Sequence, residues 1–118
     1  MQYPRRLFNA IRFVETGGEE DPSAANGLAG EIGPYQITEQ YYIDAIEEHP
    51  ELGGTFEDCR NQYYAEWVMM AYWSRYSKGD SFEELSKLHN GGPNGPAMMT
   101  CENYWQRVQE ALQNEQTF

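Results

Sequence analysis

Apolar residues recur along the chain at three- and four-residue spacing, in stretches separated by glycine, proline and asparagine. In "RRLFNAIRFVETGG", residues 5–18, Leu7, Phe8, Ile11 and Val14 fall on one face of a helix that Thr16-Gly17-Gly18 stops. A second helix is expected over 38–48, "TEQYYIDAIEE", with Thr38 as its N-cap and "HPELGG" as its break. Thr55 reads as the N-cap of a long helix, "FEDCRNQYYAEWVMMAYWSRYS", whose apolar positions Tyr63, Trp67, Met70, Ala71 and Trp73 mark it as the central one. Ser81 and Glu84 form a capping-box pattern ahead of a short helix, "FEELSKLH", which "NGGPNGP" ends. A last helix runs from Cys101 to Asn114, with Tyr104, Trp105, Val108 and Leu112 inward. Residues 19–34, "EEDPSAANGLAGEIGP", are turn formers around Asn26-Gly27, a dipeptide favoured in two-residue hairpin turns. The pattern predicts a mainly α domain with one short β-hairpin, or an irregular ribbon, near its N-terminal third. No internal repeat or low-complexity segment interrupts it, so residues 1–118 read as a single domain.

Composition narrows the class. At 118 residues the chain supports one core and not two. Its 40% hydrophobic and 14% aromatic content excludes a disordered chain. A formal charge of −11 argues against nucleic acid or an anionic membrane surface as a partner, since both need clustered Lys and Arg. No run is long enough for membrane insertion. "MQYPRRLFNAIRFVE" lacks a continuous apolar segment and a cleavage site, and reads as the first helix of the fold, not as a signal peptide. Cys59, Cys101, His49 and His89 have no metal-ligand spacing, so no metal or other cofactor is expected. The two cysteines are either one Cys59–Cys101 bridge or separate thiols on helix faces.

One acid is placed unusually. Glu15 follows Ile11 by four residues and Leu7 by eight, on the edge of the buried stripe of the first helix. A carboxyl held against apolar side chains has its pKa raised and stays protonated near neutral pH, as a general acid requires. Periodicity alone equally allows a helix-end carboxylate that points to water. Glycosidic cleavage usually needs a second carboxylate, and Glu19, Glu20, Asp21 and Glu31 are the nearby candidates.

Three ordered segments carry a resemblance. "VETGG", "GEIGPYQIT", and "LHNGGPNG" followed by "NYWQRV" are similar to segments of the lysozyme and lytic transglycosylase superfamily. The last pair most resembles the invertebrate-type, destabilase-like lysozymes, and the matches run from about residue 10 to residue 108. The resemblance implies an α+β lysozyme-like fold and a muramidase-type enzyme cleaving the β-1,4 bond of peptidoglycan or a related amino-sugar polymer. It makes Glu15 the general acid, and it sets Tyr35, Gln36, His89, Asn90 and Gly91 along the substrate cleft. For His89 a bond to a backbone carbonyl at a helix end is the alternative; for Tyr35 and Gln36 it is packing.

The chain departs from this family's pattern in two ways. The catalytic aspartate of invertebrate-type lysozymes aligns with Asn26 or Gly27, neither of which is a carboxylate. Glu31, the nearest later acid, is the candidate second carboxylate, with a solvated or turn-stabilising residue as the alternative. The dense cysteine pattern of the animal proteins is missing, which points to a bacterial or phage branch. Expectations are therefore a hydrolase or a lytic transglycosylase, working as a monomer and periplasmic or secreted. The alternatives are an inactive glycan-binding module on the same fold, or an acidic protein-interaction domain. Tyr41, Tyr42, Tyr63 and Tyr64 read as core and cleft-wall residues.

Overall fold

The computed structural model describes residues 3–114. Its helices are α1 (Arg5–Thr16), α2 (Glu39–Glu48), α3 (Gln62–Tyr76), α4 (Phe82–Gly91) and α5 (Cys101–Gln113), joined by short 3-10 turns. Local chemistry sets most of their ends. Thr38 accepts the N–H of Tyr41, Ser81 accepts that of Glu84, and Gly17 ends α1 with φ +62°. Half of the expected capping box at Ser81 forms. The Glu84 carboxylate turns instead to the N–H groups of Lys78, Gly79 and Asp80, at 2.8, 2.9 and 3.0 Å, and closes the turn before α4.

The central helix begins later than the pattern predicts. Thr55 opens only the 3-10 turn Phe56–Arg60, its N–H bonded to Asp58 at 2.8 Å. Asn61 then takes an extended conformation and caps α3 by accepting from the N–H groups of Tyr63 and Tyr64 at 2.9 and 3.0 Å. Two competing caps six residues apart divide what reads as one helix. The apolar positions of α3 do not all enter the core. Tyr63 and Trp67 are exposed, at 65% and 56%, while Ala65, Val68, Met69, Ala71, Tyr72 and Trp73 are buried. Packed by α2 and α4, α3 leaves one outer face exposed at Tyr63, Trp67 and Ser74, and because aromatic residues stand on that face the sequence shows no clean amphipathic phase.

Among the described residues the predicted β-hairpin is not found. Residues 25–37 form two isolated antiparallel bridges, Asn26 with Ile32 and Ile32 with Ile37. The chain reverses twice in that span, at Gly30 (φ +88°) and at Gly33 (φ +77°), so neither ladder extends. Gly33 has no room for a side chain, since a Cβ there would lie 2.4 Å from the Cys59 carbonyl oxygen.

Elsewhere in the fold α1 packs on α5, and α5 on α4. Leu7, Phe8 and Ile11 enter the core as expected, and Val14 is partly buried. Tyr104 and Val108 are buried on α5, with Trp105 and Leu112 partly so. One polar cluster crosses the interior. Glu66 on α3 accepts from both guanidinium nitrogens of Arg5, at 2.6 and 2.7 Å, and from Tyr35 and Gln62 at 2.5 and 3.1 Å. Burial opposes its charge, but these hydrogen bonds outweigh it and hold the carboxyl below its usual range. Glu66→Ala is expected to cost about 3 kcal/mol, near the low end for a broken buried pair because half-exposed Arg5 can turn to water. Urea denaturation measures this, and a loss below about 1 kcal/mol would show that the cluster contributes little.

Cys59 and Cys101 are buried free thiols, not a bridge. Burial pushes Cys59 up to about 12 and Cys101 also upward, so both are protonated and unreactive.

Candidate active site

Glu15 sits in the last turn of α1, which is pinned by the bond from Gly17 N–H to the Phe13 carbonyl at 2.7 Å. Its side chain is 18% exposed and lines a cleft of about 280 Å³. Gln40, Tyr41 and Asp44 on α2 and Tyr72 on α3 also line it, with Tyr41 and Tyr72 stacked at 3.8 Å. Glu31 and Gln36 from the loop, and His89, Asn90, Gly92 and Pro93 from the end of α4 and the turn after it, complete the lining.

Electrostatics separate Glu15 from the other acids. Burial pushes its carboxyl up from 4.5 to about 7, and the nearby charge of Glu31 adds to the push. A hydrogen bond from Tyr104 and the charge of Arg107 act the other way without cancelling it. The Tyr104 hydroxyl donates to Glu15 Oε2 at 2.7 Å. Burial, then the charge of Glu15, drives that phenol well above its usual value, so it remains a donor.

His89 is a wall residue and carries no charge. Its Nε2 lies 2.9 Å from the Tyr35 carbonyl oxygen, which can only accept, so Nε2 bears the proton and Nδ1 accepts from the Tyr41 hydroxyl at 3.0 Å. Burial lowers its pKa to about 4. The 3.6 Å contact between His89 Nε2 and Glu15 is therefore not an ion pair above that pH. His89 bonds a backbone carbonyl and also lines the cleft.

The structure brings Glu15, Glu31, Gln36, His89 and Asn90 to one cleft and leaves two expected site residues out of it. The Tyr35 side chain is fully buried, bonded to Arg12 and Glu66, because it points away from the wall that its neighbour Gln36 lines. Gly91 faces inward, where a Cβ would lie 2.5 Å from Cys101 Sγ. Glu19, Glu20 and Asp21 are exposed and lie outside the cleft. Asn26, the residue nearest the expected aspartate, is tied to Arg60 at 2.6 Å. Gly27 beside it matters for a different reason. A Cβ there would lie 2.6 Å from Glu31 Oε1 and 2.7 Å from Gln36 Oε1, so the absent side chain leaves the space that these two groups occupy.

A larger groove of about 470 Å³ runs along the outer side of α3, past Trp67 and Met70. Its Glu51 carboxyl is drawn below the usual range by a hydrogen bond from His49, the opposite of what a proton donor needs. Among the described residues no cluster of His, Cys, Asp or Glu could hold a metal ion.

A family model described as Destabilase matches residues 8–111. The chain belongs to the destabilase family. Curated relatives include Lysozyme 1 of Crassostrea virginica, 34% identical over 65% of this chain and 42% of the relative. A lysozyme of Magallana gigas is 34% identical over 66% of this chain and 58% of its own length. This destabilase-family chain thus spans about half the length of the curated relatives it matches. Among solved structures it is similar to Tapes japonica lysozyme, with a TM-score of 0.76, 25% identity, and 90% of this chain and 88% of that one covered. Inhibitor-bound lysozyme from Meretrix lusoria is similar at a TM-score of 0.73 and 28% identity, over 91% and 88% of the two chains. The lysozyme-like fold is shared.

Sequence reasoning did not reach the roles of Tyr72, Asp44 and Tyr104. Tyr104 lies 89 residues from Glu15 and reads from its spacing only as an inward position. Asp44 was within reach, since Thr38, Tyr41 and Asp44 share one side of α2 at three-residue intervals.

Proposed function

We propose that this protein cleaves the β-1,4 glycosidic bond of peptidoglycan or a related amino-sugar polymer, with Glu15 as the general acid. One observation carries the proposal: burial keeps a carboxyl protonated to about pH 7 on the floor of an open, polar cleft in a lysozyme-like fold. In the cleavage step the Glu15 proton passes to the bridging oxygen as the bond to the anomeric carbon breaks, and the leaving sugar departs as an alcohol. Of the two other acids that line the cleft, Glu31 and Asp44, Glu31 is the one whose charge acts on Glu15. It is assigned to stabilise the positive charge on the ring, from the space that Gly27 leaves open. Glu15, now a carboxylate, then accepts a proton from the incoming nucleophile. A water yields hydrolysis; the sugar's own C6 hydroxyl yields an anhydro product. Glycine at 92 and the exposed amide of Asn90 suit close contact with an N-acetyl group.

Mass spectrometry of soluble products from purified peptidoglycan tests this, comparing wild type with Glu15→Gln. Muropeptides are expected from wild type alone, and their mass separates water addition from an anhydro end. Glycan binding without release from wild type would favour an inactive binding module. Glu31→Gln is expected to lower turnover roughly 100-fold if Glu31 stabilises the ring charge. It also removes a like charge beside Glu15, so the alkaline limb of the pH–rate profile moves to lower pH. A variant with unchanged turnover would exclude Glu31 from the reaction.

A further inference from the structure

We propose that Tyr104 is a positioning residue that decides which oxygen of Glu15 carries the transferable proton. This rests on the reading of Glu15 as the general acid. Tyr104 is 3% exposed, and its hydroxyl donates to Oε2 at 2.7 Å. A protonated carboxyl has one proton for two oxygens, and an oxygen already accepting a phenol O–H at that distance disfavours carrying it. The proton therefore resides on Oε1. Among the described residues no hydrogen bond reaches Oε1, and it is not one of the buried atoms left without a partner, so it opens to the cleft. The same bond outlasts the transfer. Once Oε1 has given up its proton, the phenol still donates to Oε2 and stabilises the new carboxylate, so Tyr104 favours both placement and release.

The groups facing Glu15 come from every neighbouring element: Tyr104 and Arg107 from α5, His89 from α4, Tyr41 from α2 and Glu31 from the loop. His89 is neutral, and its N–H is committed to the Tyr35 carbonyl. Arg107 lies over the Tyr104 ring, 5.7 Å from its centroid. It acts on Glu15 by charge alone, without selecting an oxygen. Among the described residues Tyr104 is the one group that donates a hydrogen bond to the acid.

The test measures kcat, KM and the alkaline limb of the pH–rate profile on soluble peptidoglycan fragments. Wild type is compared with Tyr104→Phe, and with a chain carrying 3-fluorotyrosine in place of Tyr104, which keeps the hydroxyl and donates more strongly. Tyr104→Phe removes a bond that favours the ionised form, so the limb should move up by about one pH unit. Its kcat should fall about tenfold, with KM unchanged. The fluorinated chain keeps the buried hydroxyl in place and should shift the limb down. If both limbs and both kcat values match wild type while Glu15→Gln is inactive, Tyr104 is a packing residue and the proposal fails. If Glu15→Gln keeps wild-type turnover, the acid reading itself falls, and the role of Tyr104 with it.

Discussion

Glu15→Gln should lower turnover by about 10²–10⁴-fold, the usual contribution of a general acid, while leaving glycan binding in place. The amide matches the carboxyl in size and keeps an acceptor for the Tyr104 hydroxyl, but it has no proton to transfer. The same substitution should change stability in an unusual direction. Folding raises this carboxyl from 4.5 to about 7, so the folded protein binds a proton that the unfolded chain releases over that window. The penalty is absent below pH 4.5, grows as pH rises and is complete above about 7, where it reaches roughly 3 kcal/mol. Urea midpoints for Glu15→Gln should therefore match wild type at pH 4 and exceed it at pH 8. Equal midpoints at both values would mean that Glu15 is not buried as described. An inactive variant that is more stable than its parent would mark Glu15 as a residue whose placement favours chemistry at the expense of the fold.

Gly95→Ala should destabilise the protein by roughly 3 kcal/mol or more and abolish activity with it. A Cβ at Gly95 would lie 2.0 Å from the Lys87 carbonyl oxygen and 2.7 Å from its carbon. Both atoms belong to the backbone of α4, and Lys87 is itself held by Glu83 and Glu102 at 2.6 Å each. The 3-10 turn Gly92–Ala97 must then lift off α4, displacing Gly92 and Pro93 from the cleft wall. Gly79→Ala is the control. Its Cβ would meet only the end of the Glu84 side chain, at 3.8 Å, and both stability and turnover should stay near wild type. Denaturant melts and product release on the two variants check the contrast. A tolerated Gly95→Ala would mean that the turn is not seated on α4 as described.

Much of the helical frame was legible because its signals are local. Thr38, Ser81 and Gly17 act on backbone groups within a few residues, and the stripe of α1 has one solvent side and one core side. The misreadings share a physical cause, since each depends on contacts distant in sequence. Asn26-Gly27 would turn a free hairpin, but Asn26 is held by Arg60 and paired to Ile32, so the reversal moves to Gly30. The two sides of α3 are set by α2 and α4, which leaves Trp67 outside despite its spacing. At the site, periodicity put Glu15 at the edge of a buried stripe without deciding between core and water, and the family resemblance singled it out. Tyr104 had no such signal, because helix periodicity places it inward without saying what it meets. Tyr35 and Gln36 are adjacent in sequence and part at the wall, one into the core and one into the cleft.

The most direct test is to titrate the Glu15 carboxyl by ¹³C NMR on protein labelled at its glutamate side chains, with Glu15→Gln assigning the resonance. A midpoint near 7 is expected, set by burial against the apolar stripe of α1. A midpoint near the ordinary 4.5 would contradict it, since Glu15 would then be ionised at neutral pH and have no proton to give.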